Sequence, residues 1–334
     1  MIKKISEIEF LSRKELKKSF IKNLLLKNKV YFVNADLLKK ITGINKRDFT
    51  KETHNKINNY KLSFKFLSES AEYEYNFNLF KIIQSNKLSK SGTNRKNFWN
   101  LGWKENLLRM RKNNIVSLYP KYFRNRNYFY RFNGNIIFSK NKYFEARFAE
   151  LIHLIVVKKY LKELKNIYEF GAGSGKVIST LIENIDKPIN YFASDWANSS
   201  IKILRNIIIK SKSIKTFKFN FFAPNNQKIN NKSMVITNGA LEQTGRNFKK
   251  FVQYLINQKT QIIVNFEPLR EVYTNNSFND FVLKFYLYKR NYLDGYIEYL
   301  KSLEKKKLLK IISIKRTFGG PNVEGNAFVV WKPI

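Results

Sequence analysis

The sequence contains no cysteine and only two histidines, His54 and His153. Without cysteine the chain can form no disulfide, no thiolate metal site and no cysteine nucleophile. His153 lies beside the apolar face of a predicted helix, which favours a packed side chain over a catalytic imidazole, and His54 lies in a polar stretch. The sequence shows no cluster of histidine and aspartate, so we expect no bound metal.

Long apolar runs and acidic residues are also scarce. No run reaches the length of a membrane span, and Glu7, Glu9 and Glu15 stand where a signal peptide would need an apolar core, so we expect a cytoplasmic protein without a membrane span. Lys and Arg number 63 against 25 acidic residues, a formal charge of +38. Residues 1–140 carry 31 basic against 10 acidic residues, and residues 141–334 carry 32 against 15. This even spread fits a solvated lysine-rich surface as well as binding to nucleic acid, and both interpretations stay open.

A short apolar run is followed by three alternating glycines in the middle of the chain. The run spans residues 167–170, and the glycines are Gly171, Gly173 and Gly175. The run predicts a buried strand, and the apolar spacing after the glycines predicts a helix over residues 176–184. Glycine lets the backbone turn sharply and approach a ligand closely. A strand, a glycine turn and a helix in this order predict either a nucleotide-type pocket or an ordinary tight turn between strand and helix.

Two phosphate-binding motifs do not fit this turn. A dinucleotide site would need glycine at position 176, where Lys176 stands, and a P-loop would need glycine at position 170, where Phe170 stands. Glu169 instead lies two residues before Gly171. The order acidic-x-Gly-x-Gly-x-Gly resembles motif I of the class I S-adenosylmethionine (SAM) dependent methyltransferases. The resemblance implies SAM as the cofactor, because its sulfonium and amino group suit a nearby carboxylate.

A second predicted strand, residues 190–194, ends in Asp195, which follows Gly175 by 20 residues. This position matches the acidic residue of the family, whose carboxylate would accept both ribose hydroxyls. The alternative is that Asp195 caps the helix predicted over residues 199–208. The resemblance implies a further set of cofactor-binding residues around the same turn, with Asn220 standing where the family often has an acidic residue. The full set is Glu169, Gly171, Ala172, Gly173, Gly175, Asp195, Trp196 near the adenine, Asn220 and Asn238.

The remaining predicted strands follow in the order of the methyltransferase fold. Short unbroken apolar runs are typical of parallel strands buried on both faces. We predict strands at residues 215–222, 234–237, 261–266, 311–316 and 327–332, with a turn at 319–321 before the last one. The expected class is therefore α/β, a Rossmann-like methyltransferase domain over residues 143–334. Its sheet is expected to be mainly parallel and to end in an antiparallel strand pair.

Residues 1–142 are predicted to form a mostly helical accessory or substrate domain. Helical spacing runs through residues 7–26 and 60–83. Residues 128–138 carry Asn133-Gly134 between two apolar runs, the pattern of a hairpin with a type I′ turn. A group of aromatic residues lies between these elements and could line a substrate cleft or fill a small core, and both interpretations stay open. The group is Phe98, Trp99, Trp103, Tyr119, Tyr122 and Phe123.

Methyl transfer from a sulfonium is an in-line displacement, so the main task of the protein is to hold the acceptor in near-attack geometry. A base is needed where the acceptor is a hydroxyl. The resemblance places such groups after the fourth and fifth strands, where Glu242 and Glu267 are candidates, although each could instead be structural. In the segment 281–300, Arg290 and Tyr292 could bind a sugar-like or anionic acceptor or could be core contacts.

The absence of cysteine excludes the cytosine-C5 type of methyltransferase, which needs a thiolate. Residues 238–241, Asn-Gly-Ala-Leu, replace the motif of methyltransferases that act on base amino groups, which is Asn or Asp followed by Pro-Pro and an aromatic residue. We therefore expect O-methylation of a small molecule or glycan. An RNA methyltransferase is the second possibility, and a non-catalytic SAM-binding partner module is the third. The sequence leaves the oligomeric state open.

Overall fold

The computed structural model describes residues 26–85, 87–110, 115–120, 128–209 and 212–334. Most of the helix predicted over residues 7–26 lies outside this part of the chain, as do Tyr122 and Phe123. In the described ranges, no helix combines the length and apolar composition needed to cross a membrane.

The elements are numbered in chain order. The strands are β1 Tyr31–Phe32, β2 Ser63–Phe66, β3 Phe129–Phe132, β4 Asn135–Phe138, β5 Asn166–Phe170, β6 Asn190–Asp195, β7 Ile208–Ile209, β8 Lys212–Lys218, β9 Ser233–Asn238, β10 Ile262–Phe266, β11 Leu309–Lys315, β12 Phe318–Gly319 and β13 Phe328–Pro333. The α-helices are α1 Ala35–Thr42, α2 Lys51–Tyr60, α3 Glu69–Gln84, α4 Lys96–Arg109, α5 Phe144–Leu161, α6 Lys176–Asn184, α7 Asn198–Arg205, α8 Lys249–Asn257, α9 Phe278–Arg290 and α10 Tyr296–Lys305.

A large mixed sheet forms the centre of the C-terminal part. Its order in the described residues is β11-β13-β10-β9-β5-β6-β8-β7. Strands β10, β9, β5, β6 and β8 run parallel, and β13 pairs antiparallel with both β10 and β11. The seven strands predicted from the sequence thus lie in the order 6-7-5-4-1-2-3, with the seventh reversed. A mainly parallel sheet that ends in an antiparallel strand pair is the arrangement that the resemblance to class I methyltransferases implied.

Successive residues of the central strands pack on opposite faces of this sheet. Ile167, Met234 and Val264 lie in one apolar core with residues of α5, α6 and α7. Their neighbours Tyr168 and Val235 lie in a second core with residues of α8 and α10. The strands are buried on both faces, which explains why their sequences are short unbroken apolar runs.

The end of the third strand of this sheet differs from the prediction. β8 ends at Lys218, the backbone N–H of Phe219 still donates to the carbonyl of Asp195 at 3.2 Å, and a turn follows at residues 221–222. The side-chain oxygen of Asn220 accepts a hydrogen bond from the backbone N–H of Phe222 at 3.1 Å. Asparagine often ends a strand in this way, because its side chain replaces a backbone partner two residues on.

A second, antiparallel sheet has the order β1-β2-β4-β3-β12. The predicted hairpin over residues 128–138 is confirmed as β3 and β4, and the turn residues Asn133 and Gly134 both have positive φ, 44° and 88°. The turn predicted at residues 319–321 is wrong in part, because Phe318–Gly319 is a strand that pairs with β3. That pairing joins residues far apart in the chain, so local turn chemistry did not indicate it.

The continuous helix predicted over residues 60–83 is also wrong. Helix α2 ends at Tyr60 because Lys61 takes a left-handed conformation, φ 45°. Strand β2 follows, and α3 begins after Ser68, whose side chain accepts from the backbone N–H of Ala71. A serine at this position is a strong helix start, so the helical pattern belongs only to the second half of the segment.

Several contacts join the two sides of the predicted division at residue 142, which itself stays a prediction. The buried guanidinium of Arg131 in β3 donates to Asn76 Oδ1 at 2.6 Å and to the carbonyl of Pro321 at 3.0 Å, and it also contacts Asn279 in α9. Charged side chains are rarely buried without such partners. The N-terminal hairpin is therefore anchored to the segment that follows β12.

Candidate functional site

The glycine turn lies between β5 and α6, as predicted. Gly171 and Gly173 have φ of +72° and +56°, which side chains other than glycine rarely adopt. A Cβ atom at Gly173 would lie 2.5 Å from the ring of Trp103, and one at Gly171 would lie 2.4 Å from the Cβ of Ala240. Both glycines are therefore required by backbone conformation and by the closeness of their neighbours.

Asp195 at the end of β6 connects two backbone segments. Its Oδ2 accepts from the backbone N–H of Gly173 at 2.9 Å, and its Oδ1 accepts from that of Ala197 at 2.8 Å. The capping residue of α7 is Ala197, so Asp195 lies two residues ahead of the capping position. Burial raises the pKa of Asp195 to about 6 despite these hydrogen bonds. The carboxylate holds the glycine turn against the end of β6.

Glu169, in β5, is the second buried acid of the site. Its Oε2 accepts from the backbone N–H of Ile178 at 2.9 Å. Burial raises the pKa of Glu169 to about 8, and the neighbouring charge of Asp195 adds to the rise. At neutral pH the carboxyl group is therefore mostly protonated, and a cation placed beside it would favour the ionised form.

These residues face one pocket at the carboxyl ends of β5, β6, β8 and β9. The pocket encloses about 850 Å³ of space between atoms, which includes the solvent at its open mouth. It is lined by Trp99, Trp103, Pro120, Glu169, Gly171, Ala172, Gly173, Ser174, Lys176, Val177, Asp195, Trp196, Phe219, Phe221, Phe222, Asn238, Gly239, Ala240, Gln243 and Thr244. Acidic, aromatic and glycine residues from distant parts of the chain thus meet at one place.

Two pairs of stacked rings form the aromatic walls. Trp99 and Trp103 of α4 stack with their centroids 5.8 Å apart, and Trp196 stacks with Phe222 at 5.9 Å. The sequence analysis missed Phe219, Phe221 and Phe222, because it assigned these residues to a strand. The density of phenylalanine at a strand end was the signal that could have indicated them, since aromatic side chains there can face a ligand.

Helix α4 is attached to the sheet domain beside the pocket. Asn100 Oδ1 accepts from the backbone N–H and the hydroxyl of Ser199, at 3.0 and 3.1 Å. Ser91 donates through its hydroxyl to Gln243 Oε1 at 2.9 Å, and Trp99 Nε1 donates to the same oxygen at 3.4 Å. The two tryptophans that the sequence analysis left open between cleft and core therefore line the pocket.

Most of the predicted cofactor residues lie in the pocket lining, and two do not. The lining includes Glu169, Gly171, Ala172, Gly173, Asp195, Trp196 and Asn238. Gly175 instead packs against Leu204 and Ile207, where a Cβ atom would approach both side chains to 2.7 Å. Asn220 lies in the turn after β8, outside the lining.

Of the two candidate bases, Glu242 lies in the loop that follows β9, and Glu267 lies behind this loop. Glu267 is fully buried and accepts from the backbone N–H groups of Ala240, Leu241 and Glu242 at 3.3, 3.0 and 3.0 Å. Burial raises the pKa of Glu267 to about 7. Burial also raises the pKa of Glu242, to about 8, and the neighbouring charge of Glu267 adds to this rise. Glu242 accepts from Gln243 Nε2 at 2.8 Å. Neither carboxyl group is in the pocket lining, and Glu267 supports the loop that is.

The two candidate acceptor residues also lie outside the lining. Arg290 is buried and donates to the carbonyl of Ser89 at 2.6 Å and to the hydroxyl of Tyr292 at 2.9 Å. Its own carbonyl accepts from the backbone N–H of Ser91 at 2.8 Å. The two residues thus anchor the segment that leads into α4.

No model of a protein family matches the sequence, and no curated protein matches it either. Similar solved structures include the CMeT domain of the citrinin polyketide synthase, with 16% identity and a TM-score of 0.39 over 58% of this chain and 54% of that one. The 16S rRNA methylase ArmA matches at 18% identity and a TM-score of 0.37, over 57% of this chain and 86% of that one. N-methyltransferase NodS from Bradyrhizobium japonicum WM9 was solved with S-adenosyl-l-homocysteine (SAH). It matches at 8% identity and a TM-score of 0.38, over 51% of this chain and 78% of that one.

The chain spans about half the length of the first of these structures. At these identities and TM-scores the similarities are weak. The order and direction of the strands define the fold.

Proposed function

We propose that the chain is a SAM-dependent methyltransferase whose pocket binds SAM across the carboxyl ends of β5 and β6. The observation that carries this proposal is the hydrogen bond from Gly173 to Asp195, because it brings the glycine turn and the acidic residue of the second strand into one pocket. Ligands of open α/β sheets bind in the crevice beyond these strand ends.

In this proposal the methionine part of SAM lies over Gly171, Ala172 and Gly173, with Glu169 near its amino group. Asp195 accepts from the ribose hydroxyls, since each carboxylate oxygen has a second lone pair beside the one used by the backbone. Gly175 supports the turn from behind by packing on α7. The side chain of Asn238 lies at the end of β9, where the methyl group would point toward the acceptor.

The adenine ring fits the aromatic wall formed by Trp196, Phe221 and Phe222. Planar rings stack favourably on such side chains, and each aromatic contact of this kind contributes about 0.5–1.5 kcal/mol beyond its buried area. This wall takes the place of the acidic residue that the family often has after the third strand, and it explains how Asn220 can lie outside the pocket.

The acceptor is proposed to be a small molecule or glycan that is methylated on oxygen. Four other lining residues, Trp99, Trp103, Gln243 and Thr244, form an aromatic and uncharged wall that suits stacking and hydrogen bonding to such a molecule. A nucleic-acid site would instead be lined by many basic side chains that contact phosphates. Lys176 is the one basic residue among the described residues of the lining, which favours the small acceptor over RNA.

A base for a hydroxyl acceptor would come from Glu242 or Glu267. Carboxyl groups with a pKa near the working pH are well suited to accept a proton. Glu242 is the better placed of the two, because its partner Gln243 reaches the pocket, whereas Glu267 already accepts three backbone N–H groups. The carboxyl group of Glu242 must approach the acceptor to act as a base. The assignments of Glu242 and Glu267 as bases stay predictions.

Labelled SAM, incubated with metabolite, polysaccharide and RNA fractions, tests the proposed function. We expect label in the metabolite or polysaccharide fraction, with Asp195→Ala as the control that reduces transfer. Label confined to RNA would support an RNA methyltransferase instead. A protein that binds SAH but transfers no label to any fraction would indicate a non-catalytic SAM-binding module.

Asp195→Ala is expected to weaken SAH binding by about 1.5–3 kcal/mol, the range for hydrogen bonds to a charged group. Titration calorimetry measures this loss. Ser200→Ala is the matched control, because its hydroxyl contacts the carbonyl of Gly173 and the carboxylate of Asp195 but lies outside the pocket lining. If the two variants lose the same affinity, Asp195 acts only on the turn and does not contact the ribose.

The affinity for SAH is expected to rise with pH up to about 8, the pKa that burial gives Glu169 in the unliganded protein. The amino group of the ligand should lower this pKa, so binding should release a proton from Glu169 wherever the pH lies below 8 and above the pKa of the complex. Calorimetry in buffers of different ionisation enthalpy measures that proton.

Glu169→Gln is the control for this pH dependence. The amino group of the ligand is the same in both titrations, so the difference between the two proteins isolates Glu169. Equal proton release by the two proteins would show that Glu169 does not contact the amino group.

A further inference from the structure

Lys176 is a buried cation in the wall of the pocket. It is the first residue of α6, directly after the glycine turn, and its side chain is 7% exposed. Its Nζ lies 3.3 Å from Oε2 of Glu150 in α5 and 5.1 Å from the centre of the Tyr119 ring. A lysine this deeply buried is unusual, because an ammonium group loses its hydration there.

Glu150 forms ion pairs with two lysines, Lys176 and Lys56. Its Oε1 accepts from Lys56 Nζ at 3.0 Å and from the hydroxyl of Tyr60 at 2.9 Å. Burial alone would raise the pKa of Glu150, but the charges of Lys176 and Lys56 lower it to about 2. One ionised carboxylate therefore faces two ammonium groups.

The neighbouring side chains of Glu169 and His153 do not balance the excess positive charge of the two lysines. Burial, with the charge of Lys176, lowers the pKa of His153 to about 3, so the imidazole is neutral. Burial keeps the pKa of Glu169 at about 8, so this group is mostly protonated at neutral pH. Lys56 is more accessible and has a second carboxylate, Glu183, at 3.8 Å. Among the described residues, the positive charge that no ionised carboxylate balances is therefore centred on Lys176, which lines the pocket.

We propose that Lys176 forms an anion-binding subsite of the pocket and holds a carboxylate of the bound molecule. The buried ammonium of Lys176 shares the single negative charge of Glu150 with Lys56. An anion that enters the same low-dielectric site would therefore stabilise it. The inference rests on the proposed function, because it requires a ligand over the glycine turn. The carboxylate belongs either to the amino-acid part of the cofactor or to an acidic acceptor such as a sugar acid.

The cofactor source agrees with the arrangement of charges around the turn. The amino-acid end of SAM carries one positive and one negative group. Glu169 and Lys176 lie on the two sides of Gly171–Gly175 in sequence and both line the pocket. An amino group beside Glu169 and a carboxylate beside Lys176 would satisfy both buried side chains at once.

Titration of SAH and of 5′-methylthioadenosine tests the subsite, because the second compound keeps the nucleoside and the sulfur but lacks the amino-acid part. For a cofactor carboxylate, Lys176→Met should weaken SAH binding about tenfold or more and leave methylthioadenosine unchanged, since a hydrogen bond to a charged group is lost. Lys176→Arg should retain much of the SAH affinity because it keeps the charge.

Lys56→Met is the matched control. It removes the other ammonium group from Glu150 without touching the pocket lining, so an effect transmitted through Glu150 would appear in this variant as well. We expect SAH and methylthioadenosine to bind to it as to the wild type. Thermal melting of each variant shows whether the fold survives.

The second source is tested with glucuronate and glucose, titrated into protein saturated with SAH. If the anion belongs to the acceptor, Lys176→Met should bind SAH normally but lose a preference for glucuronate over glucose that the wild type shows. A folded Lys176→Met protein with unchanged SAH affinity, in the absence of any wild-type preference for glucuronate, would overturn the inference. Failure of the wild type to bind either nucleoside is a separate result that would overturn the proposed function, and the subsite with it.

Discussion

The reversal of strand order beside β5 is the constraint on which the site depends. From β5 the sheet continues through β6 and β8 on one side and through β9 and β10 on the other. Helices α6 and α7 pack on one face of the sheet and α8 on the other, so the loops after β5 and β9 separate and leave a crevice between them. The glycine turn lies in this crevice, and Asp195 fixes it to the end of β6. All the proposed cofactor contacts follow from that placement.

The N-terminal part of the chain completes the pocket from outside the sheet. Trp103 lies so close to Gly173 that no side chain fits between them, and Asn100 bonds to the first turn of α7. The segment is anchored at its start as well, through Ser91 and Arg290. In the proposed function, the acceptor lies between the aromatic side chains of α4 and the loop after β9, which both line the pocket.

Local features of the sequence predicted the parts of this site that depend on neighbouring residues. The apolar runs of β5 and β9, the helix α6 and the Asn133-Gly134 turn are each specified by a few consecutive residues, and the structure confirms them. The acidic Glu169 and Asp195 could be located because their spacing from the glycines is a motif. Contacts between distant segments could not be predicted this way. Strand β12 pairs with a hairpin nearly 190 residues earlier in the chain, and the support that Glu267 gives to the loop after β9 depends on the packing of two strands. Lys176 could be read only as a residue that excluded a dinucleotide site, because its partner Glu150 lies on another helix.

The most direct test of the account is the binding of SAH to the wild type and to Gly173→Arg by titration calorimetry. Gly102→Ala, in α4 beside Trp103, is the control, because a Cβ atom at Gly102 meets no neighbour within 4 Å. The account predicts one SAH site in the wild type and in Gly102→Ala, and loss of that site in a Gly173→Arg protein whose circular dichroism shows an intact fold. Equal SAH affinity in the wild type and in Gly173→Arg would contradict it.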